Sequence, residues 1–504
     1  MNKMDLRPAL WALLLFALTV RIHGVFVAKQ GLSYDESISY LCSGTSQARF
    51  AELYEHRPEV ILTAGDIQAL YARPSLDYGT LARDMSTLDR HPPLYFWALH
   101  TVHHFLGFHL WDGLLLNLLI GLLMLAVLYR LARRLGLPME MALLVLAVYY
   151  LSPTVLQLDL ESRQYALLGL ITLISAMLGE RLASGPRPWY THAAFILVNT
   201  GGFLTHYYYG FLLLPGIGLC LLRNGLGRRS ILYVGGLVAA LCLFLLLYPG
   251  IFAFIHVYAH EASQAYRSPF TKLRVVLYYG CSWFFAEFHP LRYAALFVLA
   301  IATTITLLRA DLRQRLLGLV RSRSAWNWYF LVMLWNIAFT LLMYAVDVAP
   351  SQAVGEQYFS YIWPFAALFV VVWGKALLPV RWRTWVAGTY LVALAIQLPF
   401  ALQRSPYLQT MLPPSWASII NTGQELITTI YDRSDLPRNM IGLDSTLPVQ
   451  LTHRAQPPSE PMITRVAVLA RDNRPFDAEA WIEWHLSGTW TYNGRILRMY
   501  ERPH

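Results

Sequence analysis

The sequence predicts an all-α polytopic membrane protein with about eleven transmembrane helices, an amphipathic interfacial helix in the first outer loop, and a small C-terminal α/β domain on the outer side. Three observations predict it. Hydrophobic residues make up 56% of the 504 positions against 14% charged, where globular chains run at about 45–50% and about 25%, so a water-soluble fold could not bury the surplus. Apolar runs of about 20 residues, long enough to span a bilayer, recur as far as Ala401. Basic residues sit in short clusters between those runs rather than in one patch. The net charge of +10 therefore does not point to nucleic acid, and four cysteines are too few for a disulfide framework.

The first run, Pro8 to Ala28, follows Lys3 and Arg7. It lacks a small-residue cleavage site and reads as a retained helix rather than a signal peptide. Further runs fall near 113–130, 138–157, 164–180, 189–205, 208–222, 231–255, 291–309, 326–346, 359–376 and 384–401. Counting 92–109 as a span would put Arg130, Arg133 and Arg134 outside and invert every later loop. Leaving it out collects the short basic loops on one side, as the positive-inside rule requires. Inner loops then carry 18 basic and four acidic residues, and outer loops 12 and 16. The basic balance is a topology signal. It places the N-terminus in the cytoplasm, the spans in a cell inner membrane, and the C-terminal part on the periplasmic or outer side.

In the stretch 92–109, Tyr95, Leu99, Val102 and Leu106 recur at helical spacing while His100, His103, His104 and His109 supply polar positions. That pattern reads as an amphipathic helix at the outer interface. His100 and His104 lack the intervening Glu of an H-E-x-x-H site and read as a wetted face. Residues 1–401 form the membrane domain, with long outer loops at 29–112 and 256–290, and residues 402–504 a soluble outer domain. Prolines across 405–415 mark the boundary. Segments 463–470 and 495–500 look like strands and 478–485 like a helix. Cys42 and Cys281 are the only cysteines in outer loops, and sequence gives no distance from which to pair them.

The outer loops hold nearly all the chemistry-bearing residues. After the first helix comes Ser33-Tyr34-Asp35-Glu36-Ser37. Two adjacent carboxylates there suit a base and a supporting acid, or simply a solvated loop start. Next lies Arg90-His91-Pro92-Pro93-Leu94, whose prolines fix the entry into the interfacial helix and hold His91 in place. A third cluster is Asp159-Leu160-Glu161-Ser162-Arg163-Gln164-Tyr165. An arginine at that depth usually meets an anion, and the plainer reading is an ion pair of Arg163 with Glu161 or Asp159. The last is Thr205-His206-Tyr207-Tyr208-Tyr209, at an outer turn where belt aromatics are expected anyway.

Taken in order, the four clusters resemble the C-type glycosyltransferase superfamily, in the branch of protein O-mannosyltransferases and lipid A aminoarabinose transferases. The resemblance rests on Asp35-Glu36, His91-Pro92-Pro93-Leu94, Glu161-Ser162-Arg163-Gln164-Tyr165 and Thr205-His206-Tyr207. The chain departs from the family at Gln357, where an arginine before a late helix is usual. Arg163 is then the better phosphate ligand, with Arg267, Lys272 and Arg274 as alternatives. The resemblance implies inverting transfer of a sugar from a polyprenyl-phosphate donor to a hydroxyl of a protein, lipid A or a surface glycan. It implies Asp35 as base supported by Glu36, with His91, Arg163, Glu161, Tyr165, His206 and Tyr207 around the donor. The phosphate leaving group is already activated, so no cofactor is expected, although Asp35 and Glu36 are where a divalent ion would sit. A transporter of lipid-linked sugars is the rival reading. It would place polar residues near the midplane in internal repeats, and neither pattern is present.

Overall fold

A computed structural model describes residues 5–252, 324–346 and 359–502 with short breaks, together with Ala310 and Gln314. The expected span at 291–309, the outer loop at 256–290, and Arg90, Arg267, Lys272, Arg274, Cys281 and Gln357 lie outside the described residues. The chain divides into two compact units. One comprises Met1–Ala28, Asp89–Tyr95 and Gly113–Ser405, the other Lys29–Leu88, Phe96–Asp112 and Pro406–His504. The loop expected over 29–112 and the C-terminal segment, which hydropathy separates, thus share a unit for the most part.

The helices, in chain order, are α1 (Arg7–His23, continued as a π-turn over Gly24–Ala28), α2 (Tyr34–Ser43), α3 (Gln47–His56), α4 (Ala64–Gln68), α5 (Tyr78–Leu88), α6 (Leu94–Leu106), α7 (Asp112–Arg134), α8 (Met139–Tyr150) and α9 (Pro153–Leu160). Then come α10 (Tyr165–Ser184), α11 (Trp189–Phe203), α12 (Tyr209–Leu212), α13 (Leu214–Asn224), α14 (Arg228–Leu247), α15 (Ala325–Val346), α16 (Trp363–Leu377), α17 (Val380–Gln403) and α18 (Pro414–Asn421). Among the described residues, helices stand at ten of the eleven expected span positions. Of these described helices, five are long and apolar enough to cross a membrane, and α8–α9, bent by 61°, makes a sixth when the pair is taken as one span. The chain is a multi-pass membrane protein.

In the first unit, α1 packs on α8 and α17, α10 on α11 and α13, α11 on α14, and α9 on α17. The bend falls at Ser152-Pro153, where Ser152 is extended (φ −64°, ψ 124°). A proline forbids the preceding residue a helical ψ and offers no N–H to continue the ladder. Gly24 lets α1 approach closely, since a Cβ there would lie 2.8 Å from Leu402 and 2.9 Å from Leu160. Gly136 ends α7 at φ +81°, and Leu137 N–H returns to the Ala132 carbonyl at 3.1 Å, a glycine-terminated helix end. Arg7 reaches Glu140 at 3.2 Å and Arg134 pairs with Glu180. All four belong to inner loops by charge count, and their pairing gathers those helix ends.

The second unit is built on a six-stranded mixed sheet of order β1-β3-β2-β4-β6-β5. Its strands are β1 (Ile61–Thr63), β2 (Leu426–Ile430), β3 (Pro448–Leu451), β4 (Arg465–Arg471), β5 (His485–Tyr492) and β6 (Arg495–Glu501). β2 runs parallel to β3 and β4, and the remaining pairs are antiparallel. Strands were expected at 463–470 and 495–500, and β4 and β6 lie there. The helix expected over 478–485 is not formed. Only Glu479–Trp481 makes a 3₁₀ turn, and β5 begins at His485. The apolar spacing that imitates a helix has another cause: Trp481 and Trp484 fill a core with Leu426, Val466, Val468 and Tyr500.

The histidines of α6 also correct the sequence reading. His100 is fully buried and His103 is 2% exposed, so that face is not wetted. His100 Nδ1–H donates to the Ser43 carbonyl at 2.6 Å, and its Nε2 accepts from Asp77 N–H at 3.1 Å. His103 Nδ1 lies 3.0 Å from Ser43 Oγ. A buried imidazole with both nitrogens satisfied carries little desolvation penalty, and periodicity cannot foresee such partners. Cys42 is buried, with its Sγ 2.7 Å from Gln47 Oε1.

Candidate functional site

In the first unit three of the four motifs converge. The E-x-R-x-Y motif is the connector between α9 and α10. It is wholly buried: Glu161 is 2% exposed, Arg163 3%, and Gln164 not at all. Its backbone leaves helical geometry at Glu161 (φ −99°, ψ 119°), so its polar groups need partners from elsewhere. Asn117 of α7 supplies one, its amide donating to the carbonyls of Glu161 and, at 3.4 Å, Leu158. Arg163 N–H returns to the Glu161 carbonyl at 2.7 Å. Gly113 lets α7 start against Ser162, whose Oγ would lie 2.3 Å from a Cβ.

The His-Pro-Pro-Leu motif joins this cluster through the Thr-His-Tyr turn. Leu94 N–H donates to the Leu204 carbonyl at 2.9 Å, with Pro92 and Pro93 buried and His91 partly exposed. Thr205 Oγ bonds back to Gly201 at 2.7 Å, and His206 N–H to Gly202 at 3.1 Å. The His206 ring lies 6.3 Å from that of Tyr165 and 4.9 Å from that of Tyr208. Burial, aided by the nearby His91, pushes the His206 imidazole down to about 3, so the ring is neutral. Tyr208 N–H donates to His206 Nδ1 at 3.2 Å, which leaves the ring proton on Nε2. His206 therefore offers one hydrogen bond and no charge. The charge here comes from Arg163.

Sequence reasoning missed Arg21. Asp159, open to pairing with Arg163, instead accepts from Arg21 Nε at 2.6 Å, with the two side chains 1% and 7% exposed. An arginine near the outer end of an apolar span is itself a signal of a buried partner.

The fourth motif lies in the second unit. Ser33 caps α2: its Oγ accepts from Glu36 N–H at 3.3 Å, and Glu36 Oε2 accepts from Ser33 N–H at 2.8 Å. This reciprocal box buries Glu36 completely. Lys29 Nζ, 1% exposed, donates to both Glu36 oxygens at 2.8 and 2.7 Å and to the Tyr407 carbonyl. Glu36 is thus committed to structure on both sides. Asp35, one residue earlier, keeps partial exposure in the first turn of α2. Lys29 was also missed, because a lysine at a helix exit reads as an interfacial anchor.

Comparison with known proteins extends this picture. Residues 90–249 match the family described as dolichyl-phosphate-mannose-protein mannosyltransferase, a stretch that holds three of the four motifs. No curated relative matches the chain. Among solved structures, ArnT from Cupriavidus metallidurans bound to undecaprenyl phosphate is similar, with a TM-score of 0.54 and 13% identity over 98% of each chain. The same protein in its apo state gives 0.51 at 13% identity, again over 98% of both chains. The chain has the ArnT fold, and the resemblance read from the motifs holds.

Proposed function

We propose that this protein transfers a sugar from a polyprenyl-phosphate donor to an acceptor hydroxyl on the outer face of the membrane, with inversion. The observation that carries it is the joining of the His-Pro-Pro-Leu, Thr-His-Tyr and E-x-R-x-Y motifs through the Leu94–Leu204 and His206–Tyr165 contacts, with Arg163 buried in the last of them, in a chain with the fold of a protein solved with undecaprenyl phosphate. In this reading Arg163 meets the donor phosphate, helped by His91 and by the Nε2–H of His206, while Glu161, Tyr165 and Tyr207 shape its surroundings. The acceptor oxygen attacks the anomeric carbon, the bond from that carbon to the phosphate oxygen breaks, and polyprenyl phosphate leaves. Asp35 takes the acceptor's proton. Charge stabilisation of the departing phosphate is the larger demand, which suits a buried guanidinium; Glu36 and Lys29 hold the helix start that carries Asp35. Protein, lipid A and surface glycan are all acceptors of the required hydroxyl chemistry.

The test is purified protein incubated with polyprenyl-phosphate mannose or polyprenyl-phosphate aminoarabinose and an acceptor extract, measuring release of polyprenyl phosphate. Turnover by the wild type that is absent from Asp35→Asn supports the reading. Absence of turnover with every donor, together with movement of lipid-linked sugar across proteoliposomes, would replace it with transport.

A further inference from the structure

Arg21 touches both halves of the bent helix pair. Its guanidinium lies 3.7 Å from the centroid of the Tyr150 ring, in the last turn of α8, and its Nε donates to Asp159 Oδ2 at 2.6 Å, in the last turn of α9. Nη1 returns to the Ala17 carbonyl of its own helix at 3.2 Å. The 61° bend breaks the hydrogen-bond ladder between α8 and α9, so no backbone continuity sets the direction of α9. Side chains must set it. Gln157 is a second tie: its amide donates to the Ala401 carbonyl at 2.9 Å and its oxygen accepts from Ser405 at 2.7 Å. The direction of α9 in turn places the connector, because Glu161 follows Leu160 directly and Asn117 grips the carbonyls of both Leu158 and Glu161.

We propose that Arg21 is a positioning residue that braces the α8–α9 bend, and so aims the E-x-R-x-Y connector at the lipid-phosphate donor. This rests on the proposed function for its substrate, though not for its geometry. Buried ion pairs are often replaceable by apolar residues without loss of stability, so a brace and a mere ion pair behave differently when both charges are removed.

The experiment compares wild type with the double variant Arg21→Met/Asp159→Leu and the single variant Arg21→Lys, all as the full chain. Four quantities are read: thermal midpoint, kcat and KM for polyprenyl-phosphate sugar, and amide exchange of the peptide around 158–166. A brace predicts that the double variant melts near the wild type, loses about 10²-fold in kcat/KM through misplacement, and exchanges faster at 158–166. Arg21→Lys keeps the charge but loses the planar stack; it should raise donor KM by about tenfold with its melting unchanged. A double variant with wild-type kcat/KM and exchange overturns the brace, and so does activity that falls only in step with the folded fraction. If the double variant fails to fold, an unaltered donor KM in Arg21→Lys overturns it as well. Should the wild type turn over no donor, the proposed function fails, and the exchange rates alone decide whether Arg21 braces the bend.

Discussion

Two buried ion pairs hold the two acidic motifs, and they are built in opposite ways. Lys29 and Glu36 lie seven residues apart, in one turn and its approach, and a capping box completes them. Arg21 and Asp159 lie 138 residues apart, and nothing local to either predicts the other. The first pair is a staple whose two charges and cap come from one short stretch, with Tyr407 adding a distant carbonyl. The second exists only once α1, α8 and α9 are packed. The comparison teaches that the acid left partly exposed, Asp35, stands on local structure, whereas the buried arginine, Arg163, depends on tertiary assembly.

The largest expected effect tests the exposed acid. Asp35→Asn keeps size and hydrogen bonding but cannot take a proton. A positioned base contributes about 10²–10⁴-fold, so kcat for polyprenyl phosphate release should fall by that much at unchanged melting temperature. Lys29→Met should act the other way. It strands Glu36 without its counter-charge, and breaking a buried pair costs about 3–5 kcal/mol, read as a lowered denaturation midpoint of the purified protein. Lys29→Met/Glu36→Leu should recover part of that loss. If the single and double variants melt alike, the staple contributes nothing.

Arg163→Ala should reduce donor use more than Arg163→Lys, since lysine keeps the charge and loses the bidentate fork. Donor KM across the two variants measures it. Glu161→Ala hurting as much as Arg163→Ala, with equal loss of protein from the membrane, would give Arg163 a structural part instead.

A smaller effect concerns pH, and each unit has a buried histidine that contributes to it. Burial pushes both His206 and His103 down to about 3, while an unfolded imidazole titrates at about 6.5. Between those values the unfolded chain binds more protons, so stability rises with pH. The contribution is fully present above about pH 6.5 and is lost as pH falls toward 3. Melting temperatures followed from pH 7 downward should decline, and His206→Gln should flatten the decline. An identical slope in that variant would assign the acid sensitivity elsewhere.

The orientation drawn from the charges makes the smallest demand. Reporters fused after Ala401 and near Gly107 should face outward, and one near Leu226 the cytosol. Like signals from Gly107 and Leu226 would refute the eleven-span layout.

The membrane class, most helix positions and the four motifs were legible in the sequence, because apolar length and turn chemistry are local properties. The Ser33–Glu36 box could have been read the same way. Arg21–Asp159 could not, since pairing at that separation depends on how helices pack. The histidine face of α6 was misread for a related reason: Ser43 and the Asp77 amide satisfy His100, and periodicity carries no information about such partners. Trp481 and Trp484 misled in turn, since residues filling a sheet face can mimic helical spacing.

The pairing of β1 with β3 has a consequence in time. Ile61–Thr63 meets Pro448–Gln450, and about 385 residues separate Thr63 from Pro448. At about 5–20 residues per second of synthesis, the ribosome needs on the order of twenty seconds to over a minute to make that interval. Throughout it the segment that carries β1 lacks the strand it will pair with, while the later membrane helices are still being made. A nascent chain arrested before β3 should leave that segment open to protease, and one released after β6 should close it.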